Sequence, residues 1–146
     1  MKKILSLILI LSSINSVIGQ EKNKSYVGKW ITEPNANGMI TLISLNANGS
    51  GITGPRFYKN GKIELSEFMK SDLQDWKIEK DTLILITKPI PRGNNRKPKS
   101  MTILYVILEK EKNKFSAYHS DPEMDKMMEE AGEKLEPIKL EFKKTE

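Results

Sequence analysis

The 146-residue chain contains no cysteine and a single histidine, His119. Without a thiol it has no disulfide, no thiolate nucleophile and no cysteine ligand for a metal. A structural zinc site needs several nitrogen or sulfur ligands, which one histidine does not supply. These absences exclude several classes of enzyme and metalloprotein, and they leave packing alone to hold the fold together.

Side-chain sets that carry catalysis are also missing. A serine–histidine–acid triad would have to use His119, but Ser120 and Asp121 are its chain neighbours and not oriented partners. Glu64 and Glu67 lie three apart on a predicted strand and would face opposite sides, which does not suit a paired-carboxylate site. We therefore expect a protein that is not an enzyme and that needs neither a metal nor a cofactor.

An apolar run stands near the start of the chain, from Ile4 to Leu11. It follows Lys2 and Lys3 and precedes small residues around Gly19, a pattern typical of a signal peptide over residues 1–19. The run is short for a membrane span, so no stable span is expected; an uncleaved anchor or a buried strand is the alternative. Residues 20–146 are then one exported domain, and a signal peptide fits a periplasmic and a secreted protein equally well.

Charge of one sign is concentrated in a single segment. The whole chain carries +5, and removing Lys2 and Lys3 lowers this to +3, which does not indicate a nucleic-acid-binding protein. Residues 88–100, KPIPRGNNRKPKS, hold five cations, no acidic residue and no aromatic residue for stacking bases. This segment either grips an anionic surface or a protein partner, or is a solvated loop that keeps neighbouring apolar strands soluble. The candidate contact residues are Arg92, Arg96, Lys97 and Lys99.

Short runs rich in β-branched and aromatic residues alternate with turn signals. The clearest turn is Asn60-Gly61, because a type I′ hairpin needs two residues that tolerate positive φ. The pattern predicts a mainly β protein, either an antiparallel meander or a closed eight-stranded barrel, with one C-terminal helix and a final edge strand. The predicted strands lie near 25–32, 39–45, 51–58, 62–68, 74–79, 82–88, 101–109, 114–119 and 137–144.

Two of these runs, 82–88 and 101–109, are apolar on both faces and therefore require cover on both sides. The segment after Ser120 predicts a helix, with Asp121 or Ser120 as its N-cap and Pro122 in its first turn. A stripe of methionines at helical spacing would supply the cover, or would present an adaptable surface to a partner. The stripe consists of Met124, Met127, Met128, Ala131 and Leu135.

The first strand carries the triplet Gly28-Lys29-Trp30. Together with the order of strands, helix and final strand, it resembles the lipocalin-like members of the calycin superfamily, which are closed antiparallel barrels around a small-molecule cavity. The resemblance implies that Gly28 allows a close backbone approach and that Trp30 packs across the closed barrel floor. That family stacks an arginine on this tryptophan, and here His119 and Lys126 are the cations in the corresponding region. An ordinary core tryptophan is the alternative.

Two functions follow from these observations. The first is an exported module that binds a small apolar ligand inside the barrel, with a lining drawn from Ile43, Phe57, Phe68, Trp76, Leu85 and Tyr105. The second is a non-enzymatic interaction protein with a filled core, such as an inhibitor, immunity or envelope-maintenance factor. An empty cavity of about 300 Å³ or more would favour the first, and a filled interior with an exposed apolar patch would favour the second. The oligomeric state is left open by the sequence.

Overall fold

The computed structural model describes residues 24–59, 62–64, 70–134 and 136–145. The signal peptide predicted for residues 1–19 lies outside this part. The described residues form eleven strands and one helix. The elements are β1 (Gly28–Thr32), β2 (Met39–Leu45), β3 (Gly51–Lys59), β4 (Lys62–Glu64), β5 (Ser71–Glu79), β6 (Thr82–Thr87), β7 (Ile90–Arg92), β8 (Arg96–Lys99), β9 (Thr102–Lys110), β10 (Lys114–Ser120), α1 (Pro122–Glu130) and β11 (Lys139–Thr145).

Eight of the strands close into an antiparallel barrel, which confirms the predicted fold class. The order around the wall is β1, β2, β3, β5, β6, β9, β10 and β11, and β11 pairs again with β1. β4 adds a short strand beside β3, and β7 pairs with β8 in a separate two-stranded sheet. Consecutive wall strands are neighbours throughout, so the barrel is an up-and-down meander.

The final strand is not at an edge, and the prediction on this point is wrong. β11 pairs with β10 on one side, where Phe142 lies opposite Phe115, and with β1 on the other, where Lys144 lies opposite Trp30. Its alternating pattern is that of any barrel strand with one face inside and one face in water. Sequence alternation alone does not distinguish this from an edge strand, because closure depends on partners that are far away in the chain.

The turn signals predicted from the sequence largely coincide with the observed turns. Lys59 pairs with Lys62, as the predicted two-residue hairpin requires, although Asn60 and Gly61 themselves lie outside the described residues. β3 runs beside β2 along its length, but on its other side it pairs with β5 only as far as Thr53 and with β4 from Phe57 onward. The change of partner falls at Gly54-Pro55, where proline has no N–H to donate to a neighbouring strand.

The two ends of the barrel carry different structures. One end, the tryptophan end, holds residues 24–27 and the turns at 46–50, 80–81 and 111–113. The opposite end, the hairpin end, holds the connection 33–38, the β7–β8 hairpin and helix α1. No helix in the described part of the chain is long and apolar enough to cross a membrane.

Helix α1 forms where it is predicted, but it does not cover the sheet. Asp121 caps it by accepting a hydrogen bond from the Met124 backbone N–H at 3.1 Å, and Pro122 begins it. None of its residues, all of which are described, is buried. The outward side chains of β6 and β9, including Ile84, Ile86 and Leu104, are instead only half-buried on the barrel wall. For the described members of the methionine stripe, the prediction that it packs on the sheet is therefore wrong; Leu135 lies outside the described residues.

Candidate interaction surface

The barrel interior contains four of the six residues predicted to bind a ligand. The exposed fractions are 0% for Ile43 and Leu85, 5% for Trp76 and 6% for Tyr105. The side chain of Phe57 and the whole of Phe68 lie outside the described part of the chain. The structure therefore brings these four predicted residues together in one core.

This core is packed. A side chain that lined a void large enough for water would keep some accessible surface, and Ile43 and Leu85 keep none. Aromatic rings fill the space: Phe115 stacks on Phe142 with centroids 4.6 Å apart, and Tyr105 meets Phe142 edge to face at 5.6 Å. A ligand placed against Ile43 or Leu85 would have to displace these side chains. Their ligand-binding role stays a prediction, and in this structure they act as core.

Trp30 closes the tryptophan end of the barrel, where the resemblance placed it. It is fully buried, it donates its indole N–H to the Tyr26 carbonyl at 2.7 Å, and it meets Phe115 edge to face at 5.0 Å. Gly28 has φ +129°, and a Cβ at this position would lie 2.6 Å from Lys144 Cε. Gly28 therefore leaves room for the Lys144 side chain beside the tryptophan.

Two lysines supply the cations over this floor. Lys110 Nζ lies 5.1 Å and Lys144 Nζ 5.3 Å from the Trp30 ring centroid, within cation–π range. Burial, together with the neighbouring Lys144 ammonium, lowers the pKa of Lys110. The expectation that His119 or Lys126 takes this place is wrong. His119 lies beside the Tyr105 ring at 5.6 Å, away from Trp30, and Lys126 is on the exposed helix.

Sequence reasoning missed both lysines for different reasons. Leu140 and Phe142 alternate inward, and the same period of two points Lys144 inward, so this signal was available. Lys110 was hidden by a β-bulge, because Ala117 lies opposite Ile107 while Ser116 lies opposite Glu109. The extra residue in β9 reverses the alternation, and it turns Lys110 toward the interior.

A cleft of about 400 Å³ lies at the tryptophan end, open to solvent. It is bordered by the segment before β1, the β2–β3 turn and the middle of β5. Trp76 is the one predicted ligand residue on its border, and its indole N–H is already bonded to the Asn46 carbonyl at 2.8 Å. The described lining is mixed in polarity and consists of Lys24, Val27, Ala47, Asn48, Gly49, Asp75 and Trp76.

The basic segment is an ordered hairpin that stands outside the barrel wall. Arg92 lies directly across from Arg96, and the turn between them has Asn94 and Asn95 at positive φ. All four predicted contact residues, Arg92, Arg96, Lys97 and Lys99, are exposed. None of them takes part in any ion pair found among the described residues. The positive charge of this hairpin is therefore uncompensated. Because like charges opposite each other on paired strands are destabilising, the Arg92–Arg96 pair is repulsive.

Large apolar side chains are exposed at the same end. Met127 is 63% exposed, Met124 is 45% exposed, and Met101 follows directly after the hairpin and is 54% exposed. Ile138, between α1 and β11, is also exposed. The hairpin end therefore combines unpaired cations with exposed apolar side chains, as the second functional hypothesis requires.

The described residues hold no group of three or more histidine, aspartate or glutamate side chains arranged to bind a metal. The chain shows no significant match to a protein-family model, to a curated protein or to a solved structure. What the structure itself supports is a closed, eight-stranded antiparallel barrel whose architecture is consistent with a calycin-like fold.

Proposed function

We propose that this chain is an exported, lipocalin-like binding protein, not an enzyme, that engages an acidic partner through the outer surface of its hairpin end. The observation that carries the proposal is the packed interior around Ile43 and Leu85, which leaves no volume there for a ligand. A barrel of this kind binds through what it displays on its rim and loops.

The β7–β8 hairpin is the strongest candidate for the contact. It is longer than a connection between neighbouring strands needs to be, it has no acidic residue, and its Arg92–Arg96 pair is repulsive. Carboxylates or phosphates of a partner would relieve this repulsion through charge-assisted hydrogen bonds. The pattern of residues 1–19 supports export, and the single exposed histidine supports a protein without catalytic chemistry.

The cleft at the tryptophan end favours a second candidate function, the binding of a small molecule at a place other than the barrel interior. Its volume of about 400 Å³ falls within the range of ligand sites. Its border mixes polar and apolar side chains, so a ligand there would be more polar than the apolar one expected from the sequence.

The test measures binding of a fluorescent polyglutamate peptide by anisotropy in 50 mM salt. Lys97→Glu with Lys99→Glu should weaken binding at least tenfold. The matched control is Lys80→Glu with Lys112→Glu, which makes the same change in net charge at exposed turn positions of the tryptophan end. If both pairs of substitutions weaken binding equally, the effect depends only on net charge, and the proposal is contradicted.

Native mass spectrometry of the protein purified from its host separates the two candidates. A protein complex that is lost on reversal of Lys97 and Lys99 supports the hairpin surface. A bound small molecule that survives that reversal and is lost in Trp76→Ala supports the cleft.

A further inference from the structure

The hairpin end carries a second charged element of opposite sign. Helix α1 contains four acidic residues and one lysine, and only Glu130 among these acids has an ion-pair partner, Lys126 at 3.9 Å, within the described residues. The hairpin contains only cations. Both elements emerge from the same end of the barrel, the hairpin between β6 and β9 and the helix between β10 and β11.

Neither element has the packing that normally keeps such a structure folded. A nine-residue helix is marginal in water without tertiary contacts, and this one buries no residue. An isolated two-stranded hairpin is likewise marginal, and β8 is exposed along its whole length. The folded form of such elements gains most stability when a partner covers them.

The charges do not satisfy each other within one chain. No ion pair among the described residues joins the hairpin to the helix, although both stand on the same rim. An anionic lipid surface would attract the hairpin but repel the acidic helix at the same end of the barrel. A partner that matches both must present an acidic element and a basic element at one end, and this chain itself has both.

Resting on the function proposed above, we infer that the partner of this surface is a second copy of the chain. In a two-fold arrangement, the hairpin of each copy contacts helix α1 of the other, because an isologous interface makes every contact twice. The exposed Met124, Met127 and Met101 lie next to the charged elements and supply the apolar centre of the interface.

The test is a charge swap followed by sedimentation velocity. The hairpin variant carries Arg92→Glu, Arg96→Glu, Lys97→Glu and Lys99→Glu, and the helix variant carries Glu129→Lys and Glu130→Lys. The helix changes are placed in its last turn, where cations are favoured by the helix dipole. They also remove the ion pair between Lys126 and Glu130, so the helix content of this variant is measured separately. Each variant alone brings elements of like charge together and should dimerise at least tenfold more weakly than the wild type.

An equimolar mixture of the two variants should form a dimer again, with an affinity within about threefold of the wild type. In the mixed dimer the acidic hairpin meets the basic helix, and the basic hairpin meets the acidic helix. The wild-type dimer should dissociate between 50 and 500 mM salt. Lys80→Glu with Lys112→Glu should leave dimerisation unchanged.

A wild type that stays monomeric at 100 µM in low salt, or a mixture that does not associate, would overturn the inference. Hydrogen exchange over residues 122–130 shows whether the helix variant keeps its helix, so that a melted helix is not mistaken for a broken interface. If the wild type is monomeric while Lys97→Glu with Lys99→Glu still weakens polyglutamate binding more than its control, self-association fails and the proposed function stands. If the wild type is monomeric and Lys97→Glu with Lys99→Glu weakens polyglutamate binding no more than its control does, both the self-association and the proposed function fail.

Discussion

At the scale of single residues, Gly28 has two independent physical reasons to be glycine. Its φ of +129° lies where side chains are rarely tolerated, and a Cβ would meet Lys144 at 2.6 Å. The lysine is flexible and can move, so the backbone conformation is the stronger of the two constraints. The resemblance predicted a close approach at this position, and the structure identifies the Lys144 side chain as the group that approaches.

Gly28→Ala should lower the free energy of unfolding by about 1–3 kcal/mol, because it forces a strained backbone angle. Urea unfolding followed by tryptophan fluorescence measures this. Gly93→Ala is the matched control, since a Cβ there meets nothing within 4 Å, and it should change stability by no more than about 0.5 kcal/mol. Equal unfolding midpoints for the two variants would show that Gly28 is not constrained.

Tyr105 makes the stability of the barrel sensitive to alkaline pH. Burial raises its pKa to about 12 from the usual 10. Because the unfolded chain loses this proton first, the stability contributed is complete below pH 10 and is lost as the pH rises through about 12. At pH 11 the free energy of unfolding is lower by about 1.4 kcal/mol, because this pH is one unit above the pKa of tyrosine in the unfolded chain.

Tyr105→Phe should therefore reduce the fall in unfolding free energy between pH 8 and pH 11 by about that amount. Tyr26, whose pKa is also raised, chiefly by burial, acts in the same direction, so part of the slope should remain. Tyr118→Phe, on the outer face, is the comparison variant. An unchanged slope in Tyr105→Phe would mean that this hydroxyl titrates alike in the folded and unfolded chain.

At the scale of elements, the strands and the pairing of sequential neighbours were predictable, but the second partner of β11 and the register within β9 were not. Turn residues and alternation located β2 at residues 39–45, as observed. The same alternation in β11 was interpreted as an edge strand, because local pattern carries no information about a neighbour 110 residues away. The bulge in β9 is a second example, since one extra residue changes which side chains face the interior without any change in composition.

Helix α1 is an element whose stability depends on its own sequence. Asp121→Ala removes the oxygen that accepts the Met124 N–H, and it should cost the helix about 1 kcal/mol. Hydrogen exchange should become faster over residues 122–130 while the barrel strands keep their protection. Glu133→Ala, just beyond the helix, should have little effect. Faster exchange in β6 as well would show that the helix is coupled to the barrel after all.

At the scale of the whole molecule, barrel closure buries side chains of β1, β2, β5, β6, β9, β10 and β11 in a common core. This is what turns the predicted ligand residues into packing residues. The sequence offered candidates for the side chains that point inward, but whether inward side chains line a cavity or fill it depends on the volume that eight strands enclose together.

Leu85→Ala tests how completely the interior is filled. It should lower the free energy of unfolding by about 2–5 kcal/mol and create an apolar cavity. Saturating benzene should then raise the thermal midpoint of this variant but not that of the wild type, because only an empty apolar cavity binds it. Leu108→Ala, at a half-exposed outer position, should show neither effect. Stabilisation of the wild type by benzene would reveal an interior cavity.

Local chemistry determined much of this protein. Turn residues, alternation and a capped helix specify the elements and the order in which they occur, and the resemblance carried by Gly28-Lys29-Trp30 implied the closed end. The tertiary structure alone decided that β11 closes the barrel, that Lys110 turns inward over Trp30, that Met124 and Met127 are exposed and that the interior is packed around Ile43 and Leu85. Each of these depends on contacts between residues far apart in the chain, and on the volume they enclose, which no local pattern encodes.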